Sequence, residues 1–133
     1  MELTRVRSPL PPETEALVRL TIESRIEVHR ELGPGLSELA YGAATCVERD
    51  ARGVRYQREK QLPVLYRGRV ICHHRVDILV EDALVVEVKS VERLHPVHLA
   101  QTVSHLRLTG ARVGLVVNFN VPVLREGIRR VVL

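Results

Sequence analysis

The chain has 133 residues, enough for one domain with a buried core, and its 45% hydrophobic content excludes a disordered chain, while 3% aromatic residues leave the packing to aliphatic side chains. No apolar run nears the roughly 18 residues that cross a bilayer, and no signal-type apolar stretch follows Met1-Glu2-Leu3-Thr4-Arg5, so the expectation is a cytoplasmic protein without a membrane partner, its Cys46 and Cys72 reduced. The formal charge of +4, with arginine supplying nearly all the cations, suits a polyanionic partner but equally a solvated basic surface.

Residues 1–10 read as a loose arm. Pro11-Pro12 opens a helix over about 13–32, with Val18, Ile22, Ile26 and His29 on one stripe, and Gly33-Pro34-Gly35 must end it. A second helix is predicted over about 36–52. Leu36, Leu39, Ala40, Ala43, Ala44 and Val47 recur at helical spacing as its apolar face, placing Glu38, Tyr41 and Thr45 on the opposite side; Gly53 supplies the C-cap. Residues 54–60 and 62–66 are edge-strand segments interrupted by Pro63, and Arg67-Gly68 makes a turn. Two short β-branched runs follow, 75–80 and 84–89, separated by the polar Glu81-Asp82. His95-Pro96 starts a third helix to about Leu108, with Leu99, Val103 and Leu106 turned inward and His98, Gln101 and His105 on the polar face. Residues 112–118 form an internal strand, and 128–133 a last short one. The order predicts one α/β domain over residues 1–133, a mixed sheet flanked by helices.

The most informative residues lie on the two runs. If Glu81, Asp82 and Ala83 form a three-residue loop joining Val80 to Leu84, Asp77 falls opposite Glu87, and Lys89 shares their face. Opposed carboxylates weaken a strand pair, and a hard divalent cation removes the repulsion. That pattern points to metal-assisted chemistry on phosphate, although D-x9-E-x-K alone is short enough to arise by chance.

Further segments carry a resemblance. Gly35-Leu36-Ser37-Glu38-Leu39-Ala40-Tyr41, the lead-in Ile26-Glu27-Val28-His29-Arg30-Glu31-Leu32-Gly33-Pro34-Gly35, then Arg75-Val76-Asp77, Val86-Glu87-Val88-Lys89 and Asn118-Phe119-Asn120-Val121-Pro122 occur in order. Over residues 15–133 the chain resembles the GxxExxY proteins, a branch of the PD-(D/E)XK nuclease superfamily. The resemblance implies a restriction-endonuclease-like core of αβββαβ type and cleavage of nucleic-acid phosphodiesters with Mg²⁺ or Mn²⁺. It implies Asp77 and Glu87 as metal ligands, Lys89 as the lysine that orients or activates water, Glu38 as an additional acidic ligand, and Gln101 as a site residue on the following helix. Val76 stands where the superfamily's name has proline, and His105 where related nucleases often have tyrosine.

Each candidate has an ordinary alternative. Glu38 lies in a first helical turn, where the dipole favours a carboxylate without any function. Gln101 and the histidines of its helix suit a wet face. Cys72-His73-His74 has no second Cys/His pair at finger spacing, so zinc there would need a distant histidine. Arg67, Arg69 and Arg75 can hold backbone phosphates or simply be solvated. The expected partner is nucleic acid, DNA in preference to RNA, and the expected assembly is a homodimer or higher homo-oligomer joined through the C-terminal part of the sheet or the helices beside it, because Val131-Val132-Leu133 looks like a sticky edge. Two other readings stay open: a silent nuclease-fold module that binds nucleic acid, and a self-assembling scaffold.

Overall fold

The computed structural model describes residues 10–133. The loose arm expected at 1–10 therefore falls outside the described residues, except Leu10, which is buried in the core. Helix α1 (Pro12–Leu32) has proline in its first turn and Glu13 and Glu15 beside it, where the helix dipole favours acids, and it stops at Gly33. Helix α2 (Glu38–Arg52) begins at Ser37, whose hydroxyl accepts the Ala40 N–H, and ends at Gly53 in the left-handed region.

The strands are β1 (Tyr56–Tyr66), β2 (Arg69–Val80), β3 (Leu84–Lys89), β4 (Val113–Asn118) and β5 (Ile128–Val132); α3 (Pro96–Thr109) links β3 to β4, and a 3₁₀ turn (Leu124–Gly127) precedes β5. They form one sheet in the order β1-β2-β3-β4-β5. Only β3 and β4 are parallel, and α3 is the crossover such a pair requires. The run α2-β1-β2-β3-α3-β4 has the expected αβββαβ order.

Helices cover both faces of the sheet. Val18, Val28 and Tyr41 from α1 and α2 pack on Ile78, Val86 and Leu115. Leu99 and Leu106 of α3 pack on Val85 and Val116 from the other side. Coverage on both faces explains why β3 and β4 read as unbroken apolar runs. At Gly114 a Cβ atom would sit 2.7 Å from Thr102 Cγ2, so α3 lies against β4 as closely as a bare backbone permits.

Three expectations need correction. Most of the apolar stripe expected to bury α2 faces solvent, with Leu39 70% and Val47 69% exposed and Ala44 alone packed on the core, whereas Tyr41, Gly42, Thr45, Cys46 and Arg49 are buried. Helical spacing shows that a helix is two-sided, but the inner face is set by its neighbours. Here Tyr41 wins that place by stacking on Phe119, ring centroids 4.3 Å apart, while its hydroxyl donates to the Gly33 carbonyl. Pro63 does not interrupt β1, because an edge strand has N–H positions that need no partner. Val131 and Val132 are buried and Leu133 is 39% exposed, so the apolar edge expected from three residues is reduced to one. Among the described residues no helix is long and apolar enough to cross a membrane.

Candidate functional site

The loop after β2 fixes the site's register. Glu81 and Asp82 both take positive φ, the Ala83 N–H returns to the Val80 carbonyl, and Val80 pairs with Leu84. Pairing continues through Leu79 with Val85 to Ile78 with Val86 and stops there, one step short of Asp77 and Glu87. At that step side-chain alternation in β2 slips. Ile78 and Val80 pack toward α1 and α2, yet Val76 and Leu79 pack toward α3. The Asp77 carboxylate fills the break: the Val88 N–H donates to its Oδ2 at 2.9 Å, replacing a ladder bond that the splayed strands no longer make.

Asp77 and Glu87 are thereby neighbours at low exposure. Burial, then the Glu87 carboxylate, push the Asp77 carboxyl up from 3.8 to about 6, although the Val88 N–H and Lys89 oppose the rise. Glu87 is 5% exposed, and its Oε1 meets Nδ1 of His105. A carboxylate only accepts, so the proton of that contact sits on Nδ1. His105 Nε2 in turn lies 3.3 Å from Nδ1 of His74 on β2. Lys89, at the end of β3, is close enough to Asp77 to hold down its pKa and close enough to lower that of His98, whose burial is the larger cause.

The segments around Gly35, Glu38 and Tyr41 and around Asn118 build the wall beyond Lys89. Ser90 donates its hydroxyl to the Leu36 carbonyl at 2.6 Å and its N–H to Glu38 Oε2 at 3.3 Å. The Asn118 side chain bridges the Val91 N–H and carbonyl, both at 3.0 Å. At Gly127 a Cβ would lie 2.2 Å from the Asn118 carbonyl oxygen, so the turn before β5 also packs backbone against this segment. These contacts fix where β3 ends, and hence where Lys89 emerges.

Glu38, Asp77, Val88, Arg58 and Arg75 line a cleft of about 150 Å³. A larger open groove of about 520 Å³, near Asp50, Tyr56 and Glu81, lacks convergent groups of this kind, and the smaller cleft is the candidate site. Two adjacent carboxylates beside a lysine are a hard, oxygen-donor set suited to Mg²⁺ or Mn²⁺. Among the described residues, no three His, Cys, Asp or Glu side chains converge as a ready-made ligand group. The set therefore fits an ion that takes one or two protein carboxylates and completes its shell with water and phosphate.

The structure thus brings together Asp77, Glu87 and Lys89, with Glu38 on the rim. Gln101 is exposed on α3, and no hydrogen bond joins it to the carboxylates. The side chain α3 presents to Glu87 is His105, a turn further on. The reading that put His105 on a wet face is corrected: the inward face is Leu99, Thr102, His105 and Leu106, which admits polar residues wherever they find partners. A histidine five residues before the helix C-cap is not a distinctive pattern. Its partner Glu87 was the only available signal.

A family model described as the PD-(D/E)XK nuclease superfamily matches residues 15–131, nearly the whole chain. The mixed five-stranded sheet with helices on both faces agrees with the restriction-endonuclease-like fold of that superfamily. No curated protein and no solved structure matches the chain.

Proposed function

This chain belongs to the PD-(D/E)XK nuclease superfamily, and we propose that it is a divalent-metal-dependent nuclease that hydrolyses phosphodiester bonds at Asp77, Glu87 and Lys89. The observation that carries the reading is the break in β2, where the half-buried Asp77 carboxylate takes a backbone N–H in place of a strand partner and faces the buried Glu87 carboxylate. A fold with no use for that arrangement would gain by replacing either acid, because repulsion and burial both oppose it.

Each side chain has a role. Asp77 and Glu87 would hold the ion, Mg²⁺ or Mn²⁺, which when bound acts as a Lewis acid on the phosphate and lowers the pKa of its water. The Val88 N–H fixes one Asp77 oxygen and His105 fixes one Glu87 oxygen, so both acids are oriented, and Asp77 lines the cleft where a ligand would enter. Lys89 places positive charge where negative charge develops on the phosphate during attack. Glu38, held by the Ser90 N–H, is the additional acid of the cleft. Gln101 has no part in this assignment.

The test is a cleavage assay on labelled duplex, single-stranded and branched nucleic acids, with Mg²⁺, with Mn²⁺ and with EDTA. The expected outcome is metal-dependent cutting by the wild type and none by Asp77→Asn or Lys89→Ala. Cutting that persists in both variants, or that survives EDTA, would overturn the assignment.

A further inference from the structure

The β1–β2 hairpin runs well past the sheet to which it belongs. β2 pairs with β3 only from Ile78 to Val80, so from Arg75 outward its sheet neighbour is β1, paired from Gln61↔Arg75 to Tyr66↔Arg69. Residues 69–75 are all exposed. Seven residues at about 3.3 Å each make a two-stranded ribbon roughly 20 Å long.

Its composition is one-sided. Residues 61–75 include Arg67, Arg69 and Arg75 and no carboxylate; adding Arg58, Glu59 and Lys60 at the root brings the net to +4, the formal charge of the entire chain. The rest of the sequence is therefore neutral in sum, and the basic character of the protein is concentrated on this ribbon. Near the tip, Leu65, Tyr66, Val70 and Ile71 are 54–63% exposed, and the Arg67 guanidinium lies 5.9 Å from the Tyr66 ring centroid. The Arg67-Gly68 turn, positive in φ at both residues, joins the strands tightly and keeps the tip narrow. At the root, Arg58 and Arg75 line the same cleft as Asp77, so a polyanion gripped by the ribbon leads into the carboxylates.

We infer that the β1–β2 ribbon is a duplex-DNA grip that lies in the major groove, sets Arg67 and Arg69 on backbone phosphates and feeds a strand toward Asp77 and Glu87. The inference rests on the nuclease reading and names its substrate class. A major groove of B-form DNA, about 12 Å wide, admits a two-stranded β-ribbon. The major groove of A-form RNA is too deep and narrow for side chains to read, and a single strand offers no groove. The exposed apolar residues contact sugars and thymine methyl groups from within the groove, which an arginine-only arm would not do.

The test measures binding, apart from cleavage. Fluorescence anisotropy in EDTA compares a labelled DNA duplex longer than one helical turn with the matching RNA duplex and single strand, from about 50 to 200 mM salt. Wild type is expected to prefer the DNA duplex. The Arg67→Asn/Arg69→Gln variant, which keeps a residue tolerant of positive φ in the turn, is expected to lose about tenfold in affinity and to flatten the log–log salt slope by about 1.8, at 0.9 per phosphate. Equal binding of the RNA duplex or single strand, or an unchanged slope in the variant, overturns the inference. So does a Tyr66→Ser/Ile71→Ser variant that turns a dimer into a monomer by sedimentation while its DNA affinity is untouched, since the ribbon is then a contact between copies. A wild type that binds through the ribbon yet never cuts with Mg²⁺ defeats the nuclease reading alone; one that cuts while its binding ignores the ribbon defeats this inference alone.

Discussion

Two places in this molecule press like charges together, and they differ in what surrounds them. At the break in β2, Asp77 faces Glu87, and each acid has a partner: the Val88 N–H for one and His105 for the other, with Lys89 nearby and a cleft at hand. Between α1 and α2, Arg25 and Arg49 are 0% and 1% exposed, and the first is held well below its ordinary pKa by burial and then by Arg49. Burial lowers Arg49 too, to about 10. One Arg25 nitrogen reaches Ser24 Oγ at 3.1 Å, and Arg49 lies 5.9 Å from the Tyr56 ring centroid. Four more guanidinium nitrogens, Nε and Nη2 of Arg25 and both Nη of Arg49, have no hydrogen-bond partner among the described residues. Like charges that are pinned by hydrogen bonds beside a cleft form a poised site; like charges left mostly without hydrogen-bond partners are a destabilising feature of the core.

The largest effect expected from this contrast is catalytic. Asp77→Asn keeps the shape and can still accept the Val88 N–H, but it withdraws a ligand charge, and cleavage should fall by at least about 10³-fold. Arg25→Met and Arg49→Leu should leave cleavage within about twofold, because neither side chain lines the cleft. A large loss of cleavage in a folded Arg49→Leu protein would erase the distinction between the two regions.

Stability should separate them next. Replacing a buried, poorly paired charge by an apolar residue of similar volume is often neutral or stabilising by about 1–4 kcal/mol. Arg49→Leu and Arg25→Met should therefore raise the melting temperature, by roughly 3–5 °C for each kcal/mol gained. A fall of several degrees would mean that these guanidiniums find partners in solution.

The acid pair has its own pH signature, read in EDTA so that no ion intervenes. The Asp77 carboxyl titrates at about 6 folded, against 3.8 as its ordinary value. Between those values the folded state binds more protons than the unfolded, so stability falls as pH rises from about 4 to 6 and stays lower above. Asp77→Asn lacks this term. It should melt higher than wild type at pH 7.5, by on the order of 2 kcal/mol, with the gap closing near pH 4. A gap constant across that range would show that burial and Glu87 do not raise the Asp77 carboxyl.

How much of this was legible follows from where each signal is written. The Glu81-Asp82-Ala83 loop and the run 84–89 fixed the hairpin register from local residues alone, and Val80 pairs with Leu84 as that reading requires. The helix ends at Gly33, Gly53 and Gly110 were equally local. The inner face of α2 was not, because it depends on Tyr41 meeting Phe119, 78 positions further along the chain. The slip at Asp77 was also hidden: alternation in β2 changes face where β3 leaves it, and no residue type announces that. Arg25 and Arg49 look like ordinary surface positions of amphipathic helices until α1 and α2 are packed.

The smallest expected effect concerns which residue of α3 serves the site. Gln101 was the sequence's candidate, and His105 is the residue in contact with Glu87. If His105 holds a Glu87 oxygen in place, His105→Ala should leave Glu87 able to bind metal but less well oriented, lowering cleavage about 10–100-fold, the usual cost of removing such a supporting partner. His105→Asn retains a donor and should recover part of that loss. Gln101→Ala, an exposed position, should change the rate less than about threefold. Mg²⁺ titration followed by melting supplies the readout beyond activity: His105→Ala should need more metal for the same stabilisation, and Gln101→Ala should not. The reverse ranking would return the site to the sequence's first choice and leave His105 as a packed core histidine whose contact with Glu87 serves the fold alone.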